Sequence, residues 1–241
     1  MAPFILSLKP PALWRSCVRL LSPITRSVVQ FMQELTPISP HYRSERIMMK
    51  RCLGCFTLLL LLCGQTTAEP PAGVVVYFES GGEAYLLLAE HAGSKRGWAG
   101  FGGGAREGET IAQTAAHKGA EESRGYFKRA DLLAALKGQV PVMDGDFASY
   151  FARMAFVPAQ AVMNHPVPEQ TDAYQERSTF AWIPYSVVEE HLTEEIDRAK
   201  KYMLDPAFLP AGSETGWFWP IWLGNMRKAV LAGALPLGRT E

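Results

Sequence analysis

The sequence predicts a mixed α/β domain, and three observations carry that expectation. Two β-rich runs, residues 73–79 (GVVVYFE) and 84–90 (AYLLLAE), flank the turn cluster Ser80-Gly81-Gly82-Glu83 and read as a hairpin. A helical stretch over residues 110–123 follows the three glycines Gly102, Gly103 and Gly104. A later β-rich run, residues 177–183 (RSTFAWI), is closed by Pro184 and followed by apolar residues at helical spacing. Strands interleaved with helices exclude a solenoid, and the chain shows no internal repeat.

The elements follow in order. After the hairpin comes a loop over residues 91–96, then Trp98-Ala99-Gly100-Phe101 and the glycines. Thr110 or Glu109 can start the helix that follows. Its residues Ile111, Ala115 and Gly119 recur every four positions, with Ala112 and Ala116 beside them. That small-residue face suits close packing on a sheet. Gly125 is a natural stop. Leu132, Leu133 and Leu136 mark a second helix over 129–137. Residues 139–143 and 146–157 read as strands around a turn of the Asp-Gly type, Met143-Asp144-Gly145-Asp146. Val188, Leu192, Ile196, Ala199 and Met203 keep helical spacing, and Pro220 opens a last helix with Leu223, Met226 and Val230 on its inner face.

Composition bounds the function. With 48% apolar residues in a chain of 241, the protein is not disordered as a whole. Four cysteines are too few for a disulfide-stapled scaffold. Lys+Arg and Asp+Glu are both 24, which argues against a nucleic-acid partner. Eight of the basic and two of the acidic side chains precede residue 69, so the remainder carries 16 and 22, a net charge of −6. Cys17, Cys52, Cys55 and Cys63 also precede residue 69, leaving a cysteine-free domain indifferent to redox compartment.

Residues 48–68 have the order of a secretory signal: Lys50 and Arg51, a largely apolar stretch of eleven residues over 53–63, then Thr66-Thr67-Ala68 as a small-residue cleavage site. Eleven residues are too few for a bilayer span, which takes about 20 in a helix. The expectation is an exported protein, periplasmic or extracellular, with no transmembrane span in its mature form. Lipidation of Cys63 after Leu60-Leu61-Leu62 is the minor alternative, disfavoured by Leu62 where a small residue belongs. The Cys52-Leu53-Gly54-Cys55 spacing reads as small apolar residues of the signal core. Residues 1–47 are basic and proline-punctuated. Translation starting at Met48 or Met49 would leave them outside the protein; an organelle transit peptide is the competing reading. The remaining domain spans residues 69–241.

Residues 103–125 carry the chemistry. A glycine-rich loop lets backbone approach a ligand closely, and it leads into a helix bearing adjacent carboxylates, Glu121 and Glu122, with Glu109 before the first turn. Clustered carboxylates beside such a loop suit Mg²⁺ or Mn²⁺, hard ions that share oxygen ligands with substrate phosphates. That chemistry is metal-assisted hydrolysis of a phosphoanhydride. The plainer reading is a solvated helix face on which Lys118 pairs with Glu121 and Glu122.

This stretch resembles the box of the Nudix hydrolase family, G-x5-E-x7-R-E-U-x-E-E-x-G-U, where U is aliphatic. Gly103-x5-Glu109 matches, the seven-residue spacing to His117 is kept, and Glu121 and Glu122 stand at the paired glutamates. The Val-rich strand, the Tyr-Leu-Leu-Leu-Ala strand, Trp98 and the Phe-Ala-Trp-Ile-Pro strand extend the likeness over roughly residues 72–200. The resemblance implies an α/β/α sandwich with a mixed sheet. It implies Glu109, Glu121 and Glu122 as metal ligands, Glu121 and Glu122 in catalysis, and the Gly102, Gly103 and Gly104 region at the phosphates. The substrate it implies is a nucleotide-type small molecule, a nucleoside diphosphate linked to another group.

The box is degenerate. His117 replaces the arginine, Lys118 the first glutamate of the R-E pair, Gly119 the aliphatic residue and Arg124 the glycine, which is displaced to Gly125. Three carboxylates on one helix face become two plus an ammonium. A carboxylate from elsewhere completes the site, or the domain binds without cleaving. Glu109, Glu169 and Glu176 are the candidates, and Glu176 is chosen, because members of the family often take a catalytic glutamate from a loop in that region. Lys118 is a candidate phosphate ligand. Trp98 and Phe101 flank the glycines and are candidates for stacking on a base. The cluster Trp217, Phe218, Trp219 and Trp222 reads as core or interface. His91, His165 and His191 lack metal-ligand spacing and read as surface or satisfied histidines.

Overall fold

The computed structural model describes residues 69–91, 93–168 and 172–235. The signal and lipidation readings of residues 48–68, the status of residues 1–47, and Glu169 lie outside them. The described residues belong to one compact unit.

A nine-stranded mixed sheet forms the middle layer. Strands β1 (Ala72–Ser80) and β2 (Glu83–His91) form the predicted hairpin, with Ser80 opposite Glu83. The two residues between them, Gly81 and Gly82, both have positive φ (62° and 83°), the left-handed pair that a two-residue hairpin turn needs and that glycine supplies without a Cβ clash. The far half of β1 pairs antiparallel with β2, whereas its near half, Ala72 to Val74, pairs with β4 (Phe101–Gly103). Strand β3 (Trp98–Ala99) pairs with the end of β2. Residues 98–103 therefore cross from β2 to β1, with Gly100 at the crossing. β1 and β2 part at this place, and the candidate site is built there.

The sequence reading placed the glycines in a loop; Gly102 and Gly103 instead lie in β4. They are glycine because two backbones meet closely. A Cβ on Gly102 would come within 2.9 Å of Gly73 Cα and of the Phe147 ring, and one on Gly103 within 3.0 Å of the Lys118 side chain. Gly104 alone opens onto free space.

The other edge of β1 pairs in parallel with β6 (Phe147–Arg153), which forms a hairpin with β5 (Val142–Asp144). Both are shorter than the sequence suggested. The other edge of β2 pairs with β7 (Arg177–Pro184). Two short strands, β8 (Tyr202–Met203) and β9 (Trp217–Phe218), extend the sheet beyond β3.

Alternation along the strands divides the core between two faces. Val74, Val76, Leu87 and Phe180 face one cluster with α1 (Ile111–Glu122) and α2 (Arg129–Ala135). Val75, Leu86, Leu88 and Ile183 face the other with α5 (Tyr185–Glu189) and α6 (Pro220–Leu231). Two short helices, α3 (Ala159–Met163) and α4 (Asp172–Gln175), escape sequence reading because neither spans two turns. The result is an α/β/α sandwich. No helix among the described residues is long and apolar enough to cross a membrane.

Helix α1 starts where expected. Thr110 accepts from the Gln113 N–H and Gln113 reaches back to the Thr110 N–H, a reciprocal capping box. The helix ends at a Ser123 cap, and the left-handed turn begins one residue before the predicted stop: Arg124 has φ 59° and Gly125 has φ 76°. The expected helix through Val188, Leu192, Ile196, Ala199 and Met203 is absent beyond Glu189. Val188 and Leu192 are buried, but the chain then becomes a loop in which the Asp197 N–H donates to the Tyr202 hydroxyl and the Asp197 carboxylate accepts from Ala199 N–H. Met203 belongs to a strand.

Gly119 explains one departure from the family pattern. A Cβ there would lie 2.7 Å from Val74 Cγ1 and 2.8 Å from Leu132 Cδ1, so an aliphatic residue between α1, β1 and α2 would force those side chains aside. Gly119→Val is expected to cost about 1–3 kcal/mol by overpacking, read as a lowered midpoint of thermal or denaturant unfolding with the fold retained.

Candidate active site

A cavity of about 560 Å³ opens beside β4 where β1 and β2 part. Its floor is Gly100, Phe101, Gly102, Gly103 and Gly104 with Val74 and Val75; Lys118, Glu122, Glu176 and Arg177 bring charge to it. Trp219, Ile221 and Trp222 from the start of α6 form an apolar wall beside the Asn225 carboxamide, and Arg96 and Arg198 also line it. Pro220 at the first helical position and the bond from the Trp219 N–H to Trp98 O (2.9 Å) fix where α6 begins.

The deepest charges are Glu122 and Arg177, each 1% exposed. Arg177 Nε donates to Glu122 Oε2 at 2.9 Å. Its other nitrogens donate to Ala89 O at 3.4 Å and Gly100 O at 3.5 Å. Glu122 Oε1 accepts the Gly102 N–H at 3.3 Å. Burial pushes the Glu122 carboxyl up to about 7; Arg177 pulls against it and the neighbouring Glu176 carboxylate adds to the push.

Glu176 lies at the head of β7, 41% exposed, within 3.2 Å of His91 Nδ1. His91 is buried, and burial, with Arg177 and Arg96 nearby, lowers its pKa to about 3. At neutral pH it is uncharged, with Nδ1 facing the Glu176 carboxylate.

Glu121 and Glu109 do not line the cavity. Glu121 Oε1 receives Arg106 Nη2 at 2.6 Å and His117 Nε2 at 3.1 Å, and Oε2 receives Lys118 Nζ at 2.8 Å. Burial pushes this carboxyl up, but Lys118, His117 and Arg106 outweigh it and hold it below the ordinary carboxylate value. Glu109 Oε1 meets His117 Nδ1 and Arg129 Nη2, both at 2.9 Å; Oε2 accepts the Arg106 N–H at 3.3 Å and the Thr114 hydroxyl at 3.4 Å. Here too burial raises the pKa and is outweighed, by the Arg106 N–H, His117 and Arg129. His117 thus sits between two carboxylates, in the place of the family arginine.

The predicted metal ligands can now be tested against their surroundings. All six oxygens of Glu109, Glu121 and Glu122 already face a cationic side chain or an N–H or O–H donor. Among the described residues no group of three or more His, Cys, Asp or Glu side chains is arranged to hold a metal ion. These residues, as they are engaged, do not fit a divalent cation.

Of the predicted substrate-binding residues, Gly102, Gly103, Gly104, Lys118 and Phe101 line the cavity, and so do Glu122 and Glu176. Trp98 does not: it is wholly buried, with Nε1 donating to Thr215 O at 3.0 Å. Trp219 and Trp222, half of the cluster read as core or interface, line the cavity instead, and Phe218 and Trp222 also pack in the core. Sequence reading missed Arg177 as the partner of Glu122, and it read His91 as bland. Adjacency of Arg177 to the chosen Glu176 was the one available signal.

A family model described as NUDIX domain matches residues 68–205. No curated protein sequence matches the chain. Among solved structures, the chain is similar to a C. elegans Ap4A hydrolase in a binary complex, at 17% identity over 51% of this chain and 82% of that one, with a TM-score of 0.30. It is also similar to a MutT/nudix family protein from Enterococcus faecalis, at 11% identity over 93% and 76% of the two chains, with a TM-score of 0.36.

Removing Glu122 strands a buried guanidinium, so Glu122→Ala is expected to cost about 3–5 kcal/mol in chemical denaturation. The two shifted groups act oppositely on stability. His91, lowered, contributes stability that is present above about pH 6.5 and lost as pH falls toward 3. Glu122, raised, contributes stability present below about pH 4.5 and lost as pH rises through 7. His91→Gln removes only the first, so between pH 7 and 4.5 the variant should gain more in unfolding temperature on acidification than the unaltered protein does.

Proposed function

The chain belongs to the Nudix family of hydrolases, and from that premise we propose that it cleaves the pyrophosphate bond of a nucleoside diphosphate linked to another group. The observation that supports this most is the meeting of Glu176, Lys118 and the Trp219–Trp222 wall in one cavity over Gly102–Gly104. A nucleotide is held by an apolar ring wall and a cationic place for phosphate, and its hydrolysis calls for a carboxylate within reach of the attacking water.

Trp219 and Trp222 offer faces for a base or a second flat group; Arg96 already lies over the Trp219 ring, 5.7 Å from its centroid. The open backbone at Gly104 admits the diphosphate. Glu176 takes a proton from a water as the water oxygen attacks one phosphorus, and the bond from that phosphorus to the bridging oxygen breaks. The neutral His91 ring lies against Glu176 and limits where that carboxylate can turn. Lys118 neutralises charge gathering on the departing phosphate. The family generally uses divalent metals; the carboxylates of α1 are engaged otherwise here, as described above. The order of residues 48–68 supports an exported location for this activity.

A second reading, a domain that holds such a ligand without cleaving it, is favoured by one observation: Lys118 stands where the family has a glutamate. A panel of dinucleotides and nucleotide sugars, assayed for phosphate-ester products with Mg²⁺, with Mn²⁺ and with chelator, separates the two. Hydrolysis of at least one member is expected, with kcat falling about 10²–10⁴-fold in Glu176→Gln and KM little changed. Thermal stabilisation by a panel member with no turnover under any condition would establish the second reading instead.

A further inference from the structure

The disagreement between the family's metal and this helix face has a specific form. Resting on the reading of the cavity as a diphosphate site, we propose that the Lys118 ammonium takes the place of the divalent cation, so that the site receives phosphate oxygens directly, with no metal bridge.

Three observations carry this. First, the side chains that would hold a cation hold fixed cations already: Arg106 and Lys118 on Glu121, Arg129 on Glu109, Arg177 on Glu122, with His117 between Glu109 and Glu121. A divalent ion would have to displace at least two of these bonded groups. Second, Lys118 is positioned rather than free. Its stem lies against Gly103, so close that a Cβ there would meet Cε at 3.0 Å and Cδ at 3.1 Å. One N–H is spent on Glu121 at 2.8 Å, and the ammonium has two more to offer. It is 21% exposed and lines the cavity.

Third, the charge of the cavity already favours an anion. Two of its three carboxylates are paired with cations, Glu122 with Arg177 and Asp144 with Lys228, while Glu176, beside the neutral His91, keeps its charge. Arg96 and Arg198, which also line it, form no ion pair with any carboxylate among the described residues. A site that recruits phosphate through a metal needs surplus negative charge to hold that metal; this one carries surplus positive charge instead.

Inorganic pyrophosphate is the probe, titrated into the full-length protein by calorimetry in the presence of chelator and again with Mg²⁺. Binding is expected in chelator, no tighter when Mg²⁺ is added. Lys118→Met should weaken it by about tenfold or more, the loss of a charge-assisted bond to phosphate. Mn²⁺ titrated alone, followed by its paramagnetic resonance, should show no ion bound at micromolar concentrations. Pyrophosphate binding that requires Mg²⁺, tight Mn²⁺ binding by the unaltered protein, or no pyrophosphate binding in either medium would each overturn the proposal. None of these readings depends on turnover, so their failure is distinct from a failure of the hydrolysis panel.

Discussion

Two opposite charges buried at the same point hold this site together. Glu122 and Arg177 are separated by 55 residues, and both are removed from solvent. Isolated, each would cost several kcal/mol to bury; joined at 2.9 Å and surrounded by backbone partners, they are tolerable only in one arrangement. Glu122 reaches β4 through Gly102, and Arg177 reaches β2 through Ala89 O and the crossing through Gly100 O. The pair therefore ties α1 to three strands at the place where the sheet divides. Three of the cavity residues adjoin it: Glu176 precedes Arg177, Lys118 lies four residues before Glu122, and the Trp222 Nε1 packs against Gly100.

The same helix carries a second, more superficial neutralisation. Glu121 and Glu109 share His117, and each takes an arginine from a neighbouring segment. A cluster of carboxylates left to itself repels, and a divalent ion is one remedy. Side-chain cations are another, and they come with the chain. The histidine and lysine that stand in the box pair with these carboxylates and leave the helix and its packing intact. That separation is why family membership and the chemistry of the site can be argued on different residues: the fold rests on Gly119, Ala115 and Val74, and the chemistry on positions 117 and 118.

Much of the fold was legible. The hairpin followed from alternation and a glycine pair, α1 from a capping residue and a small-residue stripe, and α6 from Pro220. The segment after Glu189 was misread because apolar residues at helical spacing can be buried singly from a loop, and the bonds that shape it, around Asp197 and Tyr202, leave no periodic trace. In the site, Lys118, Glu122 and Glu176 were named from the sequence and share one cavity. Trp98 was misplaced because adjacency to the glycines does not say which face of β3 a side chain takes; it points into the core, and Thr215 satisfies its nitrogen. Arg177 was invisible as a partner because a long-range ion pair is a property of the folded topology, not of spacing.

Position 124 shows how far such a box can drift without losing its geometry. The family places glycine there, and the chain still adopts a left-handed φ of 59° at Arg124, followed by 76° at Gly125. A non-glycine residue in that region is strained, and it persists only where its surroundings fix the backbone. Here they do. The Arg124 N–H donates to Glu121 O and the Gly125 N–H to Ala120 O, while a Cβ on Gly125 would strike Pro168 at 2.9 Å. Glycine is obligatory at 125, where bulk is excluded, and dispensable at 124, where only the dihedral angle is demanded. The turn thus keeps Glu121 and Glu122 at the final turn of the helix although the glycine that marks the motif has moved, and the site inherits its frame from hydrogen bonds rather than from the consensus letters.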